Sequence, residues 1–297
     1  MKRVVVLGSE GFVGRTLVKR LVVNQVNVVR IDDSPNGDNL KDGEFLKANI
    51  LELSENDLFS LFHDSTVVYL AAVSTSDACE SNPFTAIQVN LEMTMKIIQI
   101  ATKANSHLIF ASSEWVYEDF EPHRPCFEND QLKLSPTTNF YSMTKIIGEW
   151  MFQRYAASYT ILRFGIIYGE RKKPQSALES IVHSALTKNS IEIGNLQTSR
   201  RFIHVEDLCD AIVKVIKCGY SEKEIYNLSG TELIPLAKAI EILEEILLFR
   251  INTRTLGKPV SVRDPNSLKF ISKYDWKPQI STHNGLERLV KFYQKTT

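Results

Sequence analysis

A chain of 297 residues with 43% hydrophobic and 24% charged side chains holds enough apolar material for a large buried core, and its composition excludes a disordered protein. Its 35 basic and 35 acidic side chains cancel, so no general field favours nucleic acid or an anionic membrane, and any phosphate has to be held by local groups. Cys79, Cys126, Cys209 and Cys218 lack CxxC spacing and predict free buried thiols rather than disulfides or zinc ligands, and the histidines show no metal-ligand spacing either.

The chain enters at once on Val4-Val5-Val6-Leu7, an apolar run too short for a signal peptide or a membrane span, which predicts a cytoplasmic protein. Short apolar, β-branched runs then alternate with longer helical segments, the pattern of βαβ units and a parallel sheet. Strands are predicted over 4–7, 26–31, 44–47, 66–70, 107–111 and 160–164, and helices over 11–23, 83–104 and 141–157. Right-handed crossovers place those helices on both faces of a doubly wound α/β sheet. After Gly169 the character changes at Glu170-Arg171-Lys172-Lys173-Pro174, and strand content falls. A smaller α/β domain is predicted over 169–297, following a larger one over 1–168, with helices at 177–187, 205–217, 235–248 and 285–294.

Gly8-Ser9-Glu10-Gly11-Phe12-Val13-Gly14 follows the first strand and opens a helix, the context in which a glycine-rich turn carries meaning. Gly8 permits the tight turn, Gly11 lets a pyrophosphate approach the backbone, and Gly14 lets the helix pack on the strand, with helix amides facing the phosphates. Such a triplet also arises by chance in strand-to-helix turns. The second strand, however, ends at Asp32-Asp33, about 20 residues on, where an acid bonds the ribose hydroxyls of a dinucleotide. Asp32 repels a 2′-phosphate and so favours NAD over NADP.

These features stand in one fixed order with Ala71-Ala72 after the fourth strand, Ser112-Ser113 after the fifth, and Tyr141-Ser142-Met143-Thr144-Lys145. The ordered set closely resembles the extended short-chain dehydrogenase/reductases, the NAD-dependent epimerase/dehydratase family that includes UDP-glucose 4-epimerase. Leu162 to Gly169, Ser199 to Asp207 with its RxFIHVxD signature, Tyr226 to Gly230, Arg263-Asp264 and Trp276-Lys277-Pro278 follow in the family's order. The resemblance therefore covers nearly the whole chain and implies a Rossmann domain followed by a sugar-nucleotide domain.

What the resemblance implies for individual residues is specific. NAD is expected against Gly8, Gly11, Phe12, Val13, Gly14, Asp32, Asn49, Ile50, Ala71, Ala72, Asn90, Tyr141 and Lys145, with no metal. Ser113, Tyr141 and Lys145 are the expected catalytic set, and Glu114, Arg200 and Arg263 are expected to meet the substrate. The two arginines match positions that grip a diphosphate, for which guanidinium is suited by its paired donors; each is otherwise an ordinary ion-pair residue. Asn90 is either near the cofactor or a helix-packing residue. The helices over 83–104 and 141–157 resemble those that pair between two subunits, which predicts a homodimer; their apolar faces otherwise pack only on the sheet.

Tyr141 and Lys145 stand at i and i+4, neighbours on one helix face about 5–6 Å apart at Cβ. Lys145 and the nicotinamide charge are expected to lower the tyrosine from its usual value near ~10, making it a general base. Tyr141 then takes a proton from a sugar hydroxyl as hydride leaves the same carbon, with Ser113 orienting the oxygen. The expected activity is nucleotide-sugar epimerisation through a transient keto-sugar; a dehydratase or 4-keto-sugar reductase, and a non-catalytic NAD-binding regulator, are the alternatives. Dehydratases of the family place Asp and Glu after the hydroxyl residue. This chain has Glu114 but then Trp115, which abstracts no proton, and Glu114 is either a catalytic acid or a structural carboxylate. Further departures are Asn49 for an adenine-contacting aspartate, Ile166 for an asparagine, Glu170 for a proline and Arg201 for an acid, and they imply an atypical sugar pocket.

Overall fold

The computed structural model describes residues 3–34, 42–118, 123–132, 134–135 and 138–296. The chain forms two compact units: Met1–Val116 with Glu128–Arg163 and Cys209–Tyr226, and Tyr117–Phe127 with Phe164–Leu208 and Asn227–Thr297. They interleave along the sequence instead of parting at one cut between 168 and 169, because the strand Lys223–Leu228 returns to the edge of the first unit's sheet.

That sheet has seven strands. Its sequence-ordered members are β1 (Val4–Leu7), β2 (Val28–Asp32), β3 (Glu44–Lys47), β4 (Thr66–Tyr69), β5 (His107–Ser113) and β6 (Tyr159–Phe164). Across the sheet they run Lys223–Leu228, β6, β5, β4, β1, β2, β3. The pairs β1 with β2, β1 with β4, β2 with β3 and β4 with β5 are all parallel. Buried Val and Ile on β1, β2 and β4 explain the runs: both faces are covered, so most positions are apolar, Arg30 of β2 being buried against Glu10, and branched side chains fit the pleat. The register sets the site. Leu7 pairs with Ile31 and Tyr69, and Tyr69 with Phe110, so Gly8, Asp32, Leu70 and Ala111 form one row at the carboxyl ends of the strands. The strand order reverses between β1 and β4, where open α/β sheets bind ligands.

Helices α1 (Phe12–Val23), α2 (Glu55–Phe62), α3 (Ser76–Ser81), α4 (Pro83–Ile87), α5 (Met93–Lys103) and α6 (Phe140–Tyr155) flank the strands. The helix predicted over 83–104 is continuous in direction, but α4 and α5 are joined by a single π-helical turn, Gln88–Glu92. The core of this unit joins Val5, Leu7, Ile31, Tyr69 and Phe110 of the strands to Ile97, Ile98 and Phe152 of the helices.

In the second unit Ile166–Tyr168 pairs in parallel with Phe202–His204, Ser190–Ile193 with Asn252–Thr255, and Ser199–Arg200 antiparallel with Ile234–Pro235. Helices Ala177–Lys188, Leu236–Leu247 and Thr282–Thr296 enclose a core around Leu178, Val182, Leu243 and Leu289. Three of the four cysteines are buried as predicted, but Cys218 is exposed, as the last residue of the helix Val205–Cys218; all four are free. Among the described residues no helix is long and apolar enough to cross a membrane.

Candidate active site

The turn after β1 is built from glycines with different duties. Gly8 has φ +83°, and a Cβ there would lie 2.6 Å from the Ala71 amide nitrogen; one on Gly14 would lie 2.2 Å from the Gly8 carbonyl oxygen. Gly11 is exposed, and a Cβ there would approach only the Gly8 carbonyl, at 3.4 Å. Two glycines thus serve close packing and one leaves room. Gly11 caps α1 with no side-chain hydrogen bond, so no cap side chain stands over the cradle at the first turn, which Phe12 and Val13 begin. A cradle of this kind at a helix N-terminus fits a pyrophosphate. Asp32, the last residue of β2, accepts from the amides of Glu10 and Ser34, both at 2.9 Å, which holds its carboxylate beside the turn. Sequence reasoning missed Glu10 itself: it is buried and pairs with Arg30 at 3.0 Å and Arg15 at 3.3 Å.

Further along, Asn49 Oδ1 accepts from the Leu51 amide at 3.1 Å and its Nδ2 donates to Glu52 at 3.0 Å, so this side chain is engaged in its own turn. Ile50 is buried in the core. Ala71 donates its amide to the Leu7 carbonyl at 3.0 Å and lies against Gly8, with Ala72 next to it.

Tyr141 and Lys145 share one face of α6, and the structure brings both to the end of β5, which carries Ser113. The Asn139 side chain caps α6 by accepting from the Ser142 amide at 2.9 Å, and Glu80 of α3 accepts from the Phe140 amide at 2.9 Å; these two contacts begin the helix just ahead of Tyr141. β5 runs two residues beyond its predicted end and brings the Ser113 hydroxyl beside the Tyr141 phenol. Lys145 Nζ donates to the Ala111 carbonyl at 2.8 Å and stands 5.8 Å from the centre of the Tyr141 ring. Burial pushes the Tyr141 phenol up to about 12, although the Ser113 hydrogen bond opposes it. Burial likewise lowers Lys145 to about 8, opposed by the charges of Cys79 and Glu149. The predicted lowering of the tyrosine by Lys145 is therefore not achieved by the polypeptide alone, because desolvation of the phenolate outweighs it.

Around this set are residues with supporting contacts. Asn90, in the π-helical turn, exchanges hydrogen bonds with the backbone of Val73 at 2.9 and 3.0 Å and donates to Thr144 Oγ1 at 3.1 Å; Thr144 in turn donates to the Tyr141 carbonyl at 2.8 Å. Its contacts are those of a packing residue that also steadies the helix behind Tyr141. Glu114 is fully buried in the turn after Ser113. Sequence reasoning missed Glu149 and Arg163. They form a buried pair, at 2.7 Å between Nη2 and Oε2, and Ser112 Oγ donates to Glu149 Oε1 at 2.5 Å. A signal existed, since Glu149 follows Lys145 by one helical step of four and Arg163 interrupts an otherwise largely apolar strand.

In the second unit the Arg263 amide donates to the Ser199 carbonyl at 3.3 Å, which sets the Arg263 backbone beside the strand Ser199–Arg200. Arg200 donates to the carbonyls of Ser199 and Ser261, both at 2.7 Å, and Arg263 Nε to the Tyr117 carbonyl at 3.4 Å. Arg201 pairs with Asp264 and donates to the Thr231 carbonyl. Glu170 takes up His204 at 3.2 Å and Arg288 at 2.7 Å, so the departure from proline there serves a local ion-pair network. Ile166 lies against this unit's core.

Comparison with known proteins adds the following. Residues 4–229 match the NAD dependent epimerase/dehydratase family. An uncharacterized UDP-glucose epimerase, YtcB of Bacillus subtilis, is 27% identical over 318 residues, covering 98% of this chain and 97% of that one. The structure of MoeE5 in complex with UDP-glucuronic acid and NAD superposes with a TM-score of 0.86 at 21% identity, covering 99% of this chain and 100% of that one. UDP-glucose 4-epimerase of Thermotoga maritima, solved with UDP-glucose, gives 0.84 at 19% identity over 99% of each chain.

Proposed function

Because the chain belongs to the NAD-dependent epimerase/dehydratase family and uses NAD as its cofactor, we propose that it is a nucleotide-sugar epimerase, an isomerase acting through a transient keto-sugar. The observation that carries the reading is the meeting of Ser113, Tyr141 and Lys145 at the carboxyl ends of the strands, the same end as the Gly8–Gly14 turn. NAD, when bound, supplies a hydride acceptor and donor and a positive ring. The first turn of α1 and Asp32 would hold it, with Lys145 near the nicotinamide ribose. Tyr141 removes the proton from the sugar hydroxyl, Ser113 fixes that oxygen, and Lys145 stabilises the phenolate. After the ketone has turned over in the pocket, Tyr141 returns the proton to the oxygen.

Arg200 and Arg263 are assigned to the substrate diphosphate, and the names of relatives favour a UDP-sugar. The unit that carries the glycine turn is assigned to NAD and the unit that carries Arg200 and Arg263 to the sugar nucleotide, in the cytoplasm. Trp115 disfavours water elimination, since no base follows Glu114. Tyr141→Phe is expected to retain NAD, measured by releasing and quantifying nucleotide from denatured protein, while turnover of UDP-sugars falls by about 10²- to 10⁴-fold. Turnover at the wild-type rate would remove Tyr141 from its role.

The protein is further proposed to be a homodimer through α4, α5 and α6. Phe84 is 80% exposed and Trp150 46%, on helices that pack side by side, and Ile87 is exposed beside them. Large exposed apolar side chains on neighbouring helices mark an association surface. Sedimentation is expected to give a dimer, and Trp150→Glu a monomer; a monomeric wild-type protein contradicts the proposal.

A further inference from the structure

Three successive residues at the end of β5 each touch a different turn of α6. The Ala111 carbonyl accepts from Lys145 at 2.8 Å, the Ser112 hydroxyl donates to Glu149 at 2.5 Å, and the Ser113 hydroxyl stands beside the Tyr141 phenol. The middle contact is the most enclosed. Glu149 has no exposed side-chain surface, and Arg163 of β6 holds both its oxygens, through Nε at 2.9 and 3.2 Å and Nη2 at 2.7 Å. Arg163 also donates Nη1 to the Glu128 carbonyl at 3.1 Å. Two ends of the pair are thus anchored on neighbouring strands, and Glu149 carries the helix.

We propose that Ser112, Glu149 and Arg163 form a positioning lock that sets how the end of β5 meets α6 and so where Lys145 stands beside Tyr141. The proposal rests on the reading of Ser113, Tyr141 and Lys145 as the reacting set, while Glu149 itself touches no substrate. A displacement of the lock moves all three contacts together, because they lie on consecutive residues of one strand and on one helix face. Reacting groups misplaced by about 1 Å lose on the order of 100-fold in rate, which makes a rigid fastening here matter. The charge has a second effect. The groups facing Lys145 are Tyr141 and Glu149 from its own helix, Cys79 from α3, and the Ala111 carbonyl and Phe110 ring from β5. Glu149 is the carboxylate in that set, and it opposes the burial that favours a neutral lysine.

The test compares Glu149→Gln, which keeps the shape but not the charge, with Glu149→Asp, which keeps the charge. The Lys145 titration is followed by carbon-13 NMR of lysine labelled at Cε, assigned with Lys145→Arg, and needs no substrate. Glu149→Gln is expected to move the Lys145 midpoint to lower pH by about one unit or more, and Glu149→Asp to leave it near the wild-type value. With substrate, kcat is expected to fall about 10- to 100-fold in Glu149→Gln with KM little changed. If Glu149→Gln does not fold, Glu149→Gln combined with Arg163→Met leaves no lone buried charge and is expected to show the same direction of shift. A folded variant with the wild-type Lys145 midpoint and kcat overturns the proposal. If the wild-type protein turned over no nucleotide sugar, the epimerase reading would fall while the lysine titration still decided the lock.

Discussion

Each unit contains an arginine shared among carboxylates or carbonyls, and the two differ in their access to water. In the first, Arg163 and Glu149 meet with 2% and 0% of their side chains exposed. In the second, Arg288 bridges Glu170 and Glu206 with about a third of the arginine and Glu206 and a quarter of Glu170 exposed. Both fasten strand ends to a helix. Glu149 ties the end of β5 to α6, and Glu170, just after Ile166–Tyr168, ties that strand to the Thr282–Thr296 helix while also accepting His204. The difference teaches that a dry pair holds one geometry at a high cost if broken, whereas a wet one is adjustable and answers to pH and salt.

The largest expected effect is on the dry pair. Arg163→Met alone leaves the Glu149 carboxylate buried without its guanidinium, and is expected to destabilise the protein by about 3–5 kcal/mol. At a few degrees per kcal/mol for a chain of this size, the melting temperature should drop by roughly 10 °C in calorimetry. Adding Glu149→Gln should restore much of that loss, because no lone charge then remains. If the single and double variants melt together, burial is not what separates the two networks. The matching change in the wet network, Arg288→Met, should cost only about 1 kcal/mol, since its partners remain solvated.

The contrast also explains what could be read in advance. Strands β1, β2 and β4 were legible because parallel strands covered on both faces favour short, largely apolar runs of branched side chains, and the glycine turn and the Tyr141–Lys145 step are local patterns. Glu149 with Arg163, and Glu10 with Arg30, join residues 14 and 20 positions apart through the fold, so the spacing that aligns Glu149 with Lys145 does not announce its partner. The π-helical turn at Gln88–Glu92 inserts its extra residue without a proline or glycine to mark it. Glu170 was legible as a departure from the family, but read as a change in the sugar pocket; the structure gives it His204 and Arg288 instead. The height of the Tyr141 titration escaped because spacing reports the neighbouring cation and not the desolvation that outweighs it.

The smallest effect separates the networks by pH. Burial alone pushes the Glu170 carboxyl up, but hydrogen bonds from His204 and Arg288 together outweigh it and hold the group at about 2. A carboxyl depressed on folding below its ordinary value of 4.5 contributes stability that is fully present above that value and is lost as the pH falls from about 4.5 toward 2. Melting followed across this acid range should therefore show a decline that Glu170→Gln flattens, because the glutamine binds no proton in either state. Added salt should weaken the wild-type contribution, since about a quarter of the Glu170 side chain and a third of Arg288 meet solvent. An acid profile unchanged by Glu170→Gln would assign the decline to other carboxylates and leave the second network without the pH response that distinguishes it from the first.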